Sequence, residues 1–340
     1  MNTPNLTIEE QVNAFCARIG ADPLLVQGAG GNVSWKDGNV LRVKASGARL
    51  ADAEKKNIFV DVDLPSLQQA VLEKNFSIVP KVLNEMALRP SIETLLHALM
   101  PHEVVVHLHH VQLLSILVRD ECEAELRLLL KKSFSWVLVD YYKPGASLAL
   151  AVSLATKTKT DINVIFLRNH GVVIGAESIS KVEQIIDGLT SLCASVVGGL
   201  FSDYSESLIQ KPVNRYVYYP DEDIHQLARN EEYFNALKMK WALYPDHIVF
   251  LGPSPFTYES FSEFKRVNFE VNELPELIFI FGEGVYVLPE FGDAKAAQLR
   301  CFFEVLRRQK STSSIRSLSN AQIAELTDWE AEKYRKMLAS

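Results

Sequence analysis

Apolar and polar residues follow helical and strand patterns along this chain, and together they predict an α/β protein. Thr7 and Glu10 form a capping box at the start of a helix that extends to about residue 19. β-Branched and apolar segments predict strands at 32–35, 40–44, 58–61, 104–109, 137–141, 164–168 and 172–175. Further helices are predicted at 92–100, 111–117, 121–131, 147–158 and 179–201.

Two short signals add detail to this first unit. Asp37-Gly38 lies between two predicted strands and is typical of a hairpin turn. Ser91 precedes the helix predicted at 92–100 and is expected to cap it.

A second unit follows a polar stretch at 204–223, which contains two prolines and is interpreted as a linker. Helices are predicted in it at 233–243, 294–308 and 320–338, and strands at 247–251, 277–281 and 284–288. We therefore expect a first domain at 1–205 and a small C-terminal α/β domain of unknown role at 206–340. No catalytic set is evident in it, and because Gly282-Glu283-Gly284 lacks a third glycine, we predict no nucleotide binding.

Charge and cysteine content narrow the class of protein. The net charge of −7 argues against a general nucleic-acid or anionic-membrane surface. No apolar run is long enough to span a bilayer, and the polar N-terminus lacks a signal-peptide pattern. The four cysteines form no C-x-x-C pair and are interpreted as reduced. We predict a cytoplasmic protein that has neither nucleic-acid nor membrane partners.

Four residues form the main candidate for chemistry. His107 and His109 are two apart on a predicted strand, so their side chains share one face. His170 lies in a tight Asn-His-Gly turn, and Glu93 supplies a carboxylate for proton transfer. Three neutral imidazoles with an open coordination position suit Zn²⁺, while iron, cobalt and manganese remain alternatives. The pattern indicates a metal-dependent enzyme. The other histidines are interpreted as structural or surface residues: His97, His102, His110, His225 and His247.

Five segments, in order, resemble a known family: GGNVSWKDG, VKASG, PSIETLLH, VVVHLHH and NHGVVIG. Over about residues 8–201 the chain resembles the class II aldolase/adducin family, which includes fuculose- and rhamnulose-phosphate aldolases and ribulose-phosphate 4-epimerase. The resemblance implies a three-layer α/β/α fold with a mostly antiparallel central sheet. More weakly, the second unit is similar to longer bacterial members in which a dehydrogenase region follows.

The resemblance also assigns roles to residues. It implies a zinc site at His107, His109 and His170, with Glu93 as the acid/base group. The substrate-phosphate groups of the family correspond to Gly31, Asn32, Ser46, Gly47 and Ser91. Backbone N–H groups and hydroxyls there could bind a phosphate without a basic cluster. Lys44 either adds a charge to this pocket or is an exposed strand residue.

Two departures from the family pattern bear on substrate and mechanism. Ile92 stands where a second serine is common, so one phosphate donor is missing. The tyrosine expected near 126–130 is absent. Tyr142 is our candidate to replace it in catalysis, with Tyr141 as its neighbour, although a tyrosine at a strand end is commonly a packing residue.

The expected function is therefore a metal-dependent aldolase that cleaves or forms a C–C bond in a small ketose or ketose phosphate through a metal-stabilised enediolate. The alternatives are a ribulose-phosphate 4-epimerase-like enzyme, a decarboxylase of a hydroxylated acid, and a non-catalytic adducin-like interaction module. Family members are commonly oligomeric, so a homo-oligomer, either dimer or tetramer, is also expected.

Overall fold

Seven strands form the larger sheet in the part of the chain that the structure describes. The computed structural model describes residues 6–84, 88–131, 133–159, 161–194, 215–267 and 274–327. The strands are β1 (Asn32–Asp37), β2 (Val40–Lys44), β3 (Phe59–Asp63), β4 (Val104–Leu108), β5 (Trp136–Val139), β6 (Val164–Leu167) and β7 (Gly171–Ala176). Their order is β3-β2-β1-β4-β7-β6-β5, and only β5 and β6 pair in parallel. The mostly antiparallel sheet predicted from the sequence is confirmed.

Helices cover both faces of this sheet. They are α1 (Ile8–Gly20), α2 (Leu64–Leu72), α3 (Thr94–Leu99), α4 (Val111–Leu117), α5 (Cys122–Leu130), α6 (Ala146–Thr156) and α7 (Ile179–Ala194). Val104 and Val106 pack into the core formed with α1, α4, α5 and α7, whereas Val105 packs with residues of α3 and α6. Since strand residues alternate between faces, His107 lies on the α3 and α6 side. The three-layer architecture is also confirmed.

Local hydrogen bonds explain where several elements begin. Thr7 accepts the N–H of Glu10 at 3.2 Å, while the Glu10 carboxylate accepts the N–H of Thr7 at 2.8 Å, which completes the predicted capping box of α1. The hairpin between β1 and β2 turns at Gly38, which adopts a φ of 57°. The cap predicted at Ser91 is wrong, because Glu93 is the N-cap of α3. Ser91 instead accepts the N–H of Glu93.

Where the structure describes it, the second unit contains a smaller four-stranded sheet in the order β8-β11-β10-β9. Its elements are β8 (Val217–Tyr218), α8 (Gln226–Arg229), α9 (Glu231–Met239), α10 (Pro245–Leu251), β9 (Thr257–Tyr258), α11 (Phe261–Val267), β10 (Leu277–Ile280), β11 (Gly284–Val287), α12 (Asp293–Leu306) and α13 (Asn320–Thr327). Val111 and Leu114 of α4 share a core with Phe302 and Phe303 of α12. The second unit therefore packs against the helix that directly follows His109 and His110. No helix among those just given is long and apolar enough to cross a membrane.

Two predictions for this unit are wrong. The segment 247–251 is not a strand but most of α10, which has Pro245 in its first turn. Ile248, Val249 and Phe250 are all buried, so both faces of the segment are apolar and the sequence could not distinguish a buried helix from a strand. The predicted linker is wrong for its final part, because Val217–Tyr218 pairs with β11. Residues 204–214, the predicted domain boundary near 205, and the helical extensions 195–201 and 328–338 lie outside the described residues.

His247 makes the stability of this unit depend on pH. It lies between the rings of Trp241 and Phe302, and neither imidazole nitrogen has a hydrogen-bond partner among the described residues. Burial lowers the pKa of His247 to about 3, so the folded protein favours the neutral ring. In an unfolded chain, histidine takes up its proton near pH ~6.5. The contribution to stability is therefore complete above about pH 6.5 and is lost as the pH falls towards 3.

We expect the free energy of unfolding to decrease on acidification by up to about 1.4 kcal/mol per pH unit for one such histidine. Urea unfolding of the chelator-treated protein between about pH 7 and about pH 5 measures this slope. His247→Phe keeps an aromatic ring but removes the proton site, so its slope should be shallower than that of the unaltered protein. Equal slopes would contradict a neutral, buried His247.

Candidate metal centre

Three imidazole rings converge at the end of β4 and the turn between β6 and β7. The ring centroids of His107 and His170 are 4.8 Å apart, those of His107 and His109 are 5.0 Å apart, and those of His109 and His170 are 5.4 Å apart. One nitrogen from each ring lies within 4.8 Å of the others, and all three side chains are buried. The antiparallel pairing of β4 with β7 explains the proximity, because it brings the His170 turn beside the end of β4.

Hydrogen bonds set the direction of the His107 ring. Its Nδ1 donates to the carbonyl of Val172 at 3.1 Å, which leaves Nε2 directed at Glu93, 3.6 Å from its Oε2. The Nε2 of His170 lies 3.4 Å from the Oε1 of the same carboxyl. Burial lowers the pKa of His107 and lowers that of His170 to about 3. Both rings are therefore held in the neutral form that metal binding requires.

The His170 turn is fixed from its two sides. Asn169 adopts a positive φ of 53°, a left-handed conformation that asparagine tolerates better than most residues. Its side-chain nitrogen donates to the carbonyls of Leu243 and Arg316, at 2.8 Å each. Both carbonyls belong to the second unit, which therefore holds the turn that carries His170.

Gly171, on the other side of His170, has no room for a side chain. A Cβ there would lie 2.3 Å from the Leu108 carbonyl oxygen and 3.2 Å from the His107 ring. We expect Gly171→Ala to separate β7 from β4 and to destabilise the protein by about 1–3 kcal/mol or more. Denaturant midpoints measure the effect. Gly292→Ala is the matched control, since a Cβ at Gly292 meets nothing within 4 Å. Equal midpoints for the two variants would contradict the close approach of β4 and β7 at Gly171.

Glu93 is a buried carboxyl that faces the three rings. The side-chain amide of Asn32 donates to its Oε2 at 2.8 Å. Burial alone would raise the pKa of Glu93, but the attraction between its carboxylate and any proton held on His107 or His170 lowers it. Glu93 is therefore held as a carboxylate that can accept a proton.

Most of the site residues predicted from the sequence line one small chamber of about 30 Å³. Its lining comprises Ala29, Gly30, Gly31, Asn32, Lys44, Ser46, Gly47, Ser91, Ile92, Glu93, His109, Pro144, His170 and Asp246. The five residues predicted to bind phosphate are thus together beside the histidines. The amide of Asn32 is engaged with Glu93, however, so its side chain positions that carboxylate. Lys44 is buried and donates to the carbonyls of Ala29 and Ala48, at 2.9 and 2.7 Å.

The structure does not bring Tyr142 into this chamber. Its side chain is 45% exposed, and Pro144 is the member of the same loop that lines the chamber. The expectation assumed a strand to residue 141, but β5 ends at Val139. Tyr141 is buried against the second unit beside Ile248, and burial raises the pKa of its phenol. The catalytic role predicted for Tyr142 has no support in this placement.

Asp246, in the first turn of α10, is a site residue that the sequence pattern did not reveal. It is buried, lines the chamber, and places Oδ2 3.3 Å from Nδ1 of His109. The sequence predicts a strand directly after it, at 247–251, in a unit without an evident catalytic set, so no pattern connects Asp246 with His109. A carboxylate immediately after Pro245 at a helix start was the available signal.

A larger cleft of about 910 Å³ adjoins the chamber, and Ala29 and Gly47 line both. Arg49 contributes to its wall from the first unit, while Phe256 and Phe291 contribute from the second. A molecule in this cleft would therefore contact both units.

The donor set fits a divalent metal. The Nε2 of His107 and the Oε1 of Glu93 are buried, and neither has a hydrogen-bond partner among the described residues. Buried polar atoms are rarely left without a partner, and a divalent ion held by the three rings would give the His107 nitrogen its partner. Three imidazoles in a cluster of this size match the ligands that Zn²⁺ and similar ions prefer.

The family model described as Class II Aldolase and Adducin N-terminal domain matches residues 10–196, more than half of the chain. The chain belongs to this family. The resemblance predicted from the five sequence segments is thereby confirmed. The buried histidine triad is a set that can bind a divalent metal.

One curated relative is "Uncharacterized oxidoreductase YuxG" of Bacillus subtilis (strain 168), which is 27% identical over 176 residues. That alignment covers 47% of this chain and 25% of the relative, so the chain matches only about a quarter of the relative's length. The oxidoreductase description belongs to that longer protein.

Several solved structures are similar to part of this chain. The N-terminal class II aldolase domain of a conserved protein from Thermoplasma acidophilum is 26% identical, with coverage of 57% of this chain and 96% of that one and a TM-score of 0.49. YgbL of Klebsiella pneumoniae, a putative aldolase/epimerase/decarboxylase, is 20% identical, with coverage of 56% and 90% and a TM-score of 0.42. An L-fuculose 1-phosphate aldolase is 16% identical, with coverage of 57% and 86% and a TM-score of 0.40.

Proposed function

We propose that this protein is a metal-dependent aldolase that cleaves or forms a C–C bond in a small ketose or ketose phosphate. The observation that carries the proposal is the convergence of three buried imidazoles on the carboxylate of Glu93. A structural module of the same fold has no need of this combination, because buried polar groups without partners cost stability.

The residues that would hold the metal are His107, His109 and His170, and Zn²⁺ is the ion we propose. A divalent ion there would polarise the carbonyl and hydroxyl oxygens of the substrate and stabilise the enediolate that develops next to the carbonyl. The rings that would hold it already lie close together in the buried cluster, so little reorganisation is required of the protein.

Glu93 is the group we propose for proton transfer. In the direction of bond formation, its carboxylate takes the proton from the carbon next to the carbonyl, and in cleavage it returns a proton to that carbon. Asn32 fixes Oε2 through its amide. Oε1 is therefore the oxygen left to exchange the proton with the substrate.

The remaining contacts of the substrate are proposed on the chamber wall. Ser46, Gly47 and Ser91 offer hydroxyl and backbone donors to a phosphate or to sugar hydroxyls. Lys44, although engaged with carbonyl groups, brings a positive charge to the same wall. Because the chamber holds only about 30 Å³, we infer that the rest of a substrate extends into the adjoining cleft past Ala29.

Product analysis on a panel of ketoses and ketose 1-phosphates tests this function. Two shorter fragments in the presence of zinc, lost on chelation and restored by adding the metal, would support an aldolase. A single stereoisomer of the same mass would replace the proposal with an epimerase. No conversion of any member of the panel in either direction would count against an enzyme of this class and favour an adducin-like module.

A further inference from the structure

We propose that the second unit completes the metal centre through Asp246, whose carboxylate orients His109 for metal binding. In this proposal Asp246 is a positioning residue that acts through the imidazole and does not itself bind the ion. The inference rests on the proposed metal site, and it assigns a role to a unit that lies outside the matched family region.

The geometry around His109 carries this proposal. Asp246 Oδ2 lies 3.3 Å from His109 Nδ1, and both side chains are buried, at 4% and 7% exposure. An Nδ1–H that donates to this carboxylate leaves Nε2 as the unprotonated nitrogen, available for a metal. A carboxylate at this distance favours the tautomer that carries its proton on Nδ1, and on this proposal it thereby orients the ring.

The arrangement proposed for His109 is the one observed at His107, where the acceptor is a backbone carbonyl. Its Nδ1 donates to the Val172 carbonyl, and its Nε2 faces Glu93. On this proposal Asp246 is the acceptor for Nδ1 of His109, as the Val172 carbonyl is for Nδ1 of His107, but its oxygen is charged. A carboxylate on the far nitrogen raises the basicity of a ligating imidazole more than a neutral carbonyl does, so the effect on metal affinity should be measurable.

Asp246 is itself held in place from two directions. Gln298 of α12 lies with its side-chain nitrogen 3.4 Å from Oδ2. A Cβ at Gly30 would lie 3.1 Å from Nδ1 of His109 and 3.3 Å from Oδ2 of Asp246. The glycine loop of the first unit therefore lies close against the pair, and a side chain at position 30 would press on both groups.

The same unit also holds the third histidine. Asn169 donates to two carbonyls of the second unit, those of Leu243 and Arg316, and so anchors the turn that presents His170. Two of the three proposed ligands thus depend on contacts with the C-terminal unit. The metal-binding chamber is built mainly from the first unit, but on this proposal it needs the second unit to hold two of its histidines in place.

The test compares Asp246→Asn with the unaltered full chain. Zn²⁺ affinity is measured by competition with a chromogenic chelator, and Co²⁺ in place of zinc reports the coordination by its visible spectrum. We expect affinity to fall by about 10- to 100-fold, the usual effect of losing a partner of a ligating histidine. The visible absorption of the Co²⁺ form should keep its intensity, because the three histidine ligands remain.

Asp293→Asn is the matched control, since it removes an exposed carboxylate at the start of α12. It should leave zinc affinity within about twofold of the unaltered protein, because an exposed charge in water acts weakly at a distance. Thermal unfolding of both metal-free variants separates a structural role from a positioning role. A positioning role predicts lower affinity even where the metal-free Asp246→Asn protein unfolds at the same temperature as the unaltered one.

Each other outcome overturns the inference. Unchanged zinc affinity in Asp246→Asn would mean that the carboxylate does not act on His109. A loss well beyond about 100-fold with a changed Co²⁺ spectrum would make Asp246 a direct ligand. A fall in affinity only in proportion to lost stability would make its role structural. If the unaltered chain binds no zinc at all, it is the proposed function that fails.

Discussion

Glu93→Gln is expected to lower turnover by about 10²- to 10⁴-fold while leaving zinc binding in place. The glutamine has the same shape, and its oxygen can still accept the Asn32 amide, so the chamber should keep its geometry. It cannot carry the proton, however, and the central step depends on that transfer. Steady-state turnover of a ketose that the unaltered protein cleaves measures the effect.

Glu103→Gln serves as the control for this variant, because Glu103 is an exposed carboxylate that lies outside the chamber. It should retain full turnover. Undiminished cleavage by Glu93→Gln would remove Glu93 from the mechanism and would direct attention to another proton carrier in the chamber.

His107→Ala should have the other large effect. This ring is fully buried, and its free Nε2 faces the position between the three histidines. Losing a metal ligand removes more binding energy than losing a residue that only contacts a metal-binding histidine. Zinc affinity should therefore fall by more than about 100-fold, and turnover should fall with it. Excess zinc should not restore turnover to the level of the unaltered protein.

His102→Ala is the matched histidine control, because His102 is only partly buried and lies outside the cluster. Its zinc content and turnover should equal those of the unaltered chain. Turnover retained by His107→Ala without any metal would contradict the metal mechanism, even if the protein is an aldolase.

Local sequence patterns were sufficient to find most of the candidate centre. The i, i+2 spacing of His107 and His109 and the tight turn around His170 each describe geometry within a few residues. The order of the surrounding segments then placed Glu93 beside them. The larger sheet was predictable for the same reason, since its strands are short, apolar and separated by turn signals.

The errors arose where distant parts of the chain meet. Asp246 approaches His109 only because α10 packs across the first unit, and no pattern near residue 246 contains that information. The sequence leaves Lys44 either as an exposed strand residue or as a charge in the pocket. In the structure Lys44 is buried and lines the chamber. The pattern places Tyr142 just after a strand predicted to end at 141, whereas β5 ends at Val139 and Tyr142 is exposed. Its catalytic role stays a prediction. The oligomeric state and the cytoplasmic location stay predictions.

The metal content of the untagged, gently purified chain tests the central claim most directly. Elemental analysis should find about one zinc or other divalent ion per chain, as expected for a single buried site of three imidazoles. The same preparation of His107→Ala should contain almost none. A chain that carries no divalent metal, and takes up none when zinc is added, would contradict the proposed mechanism.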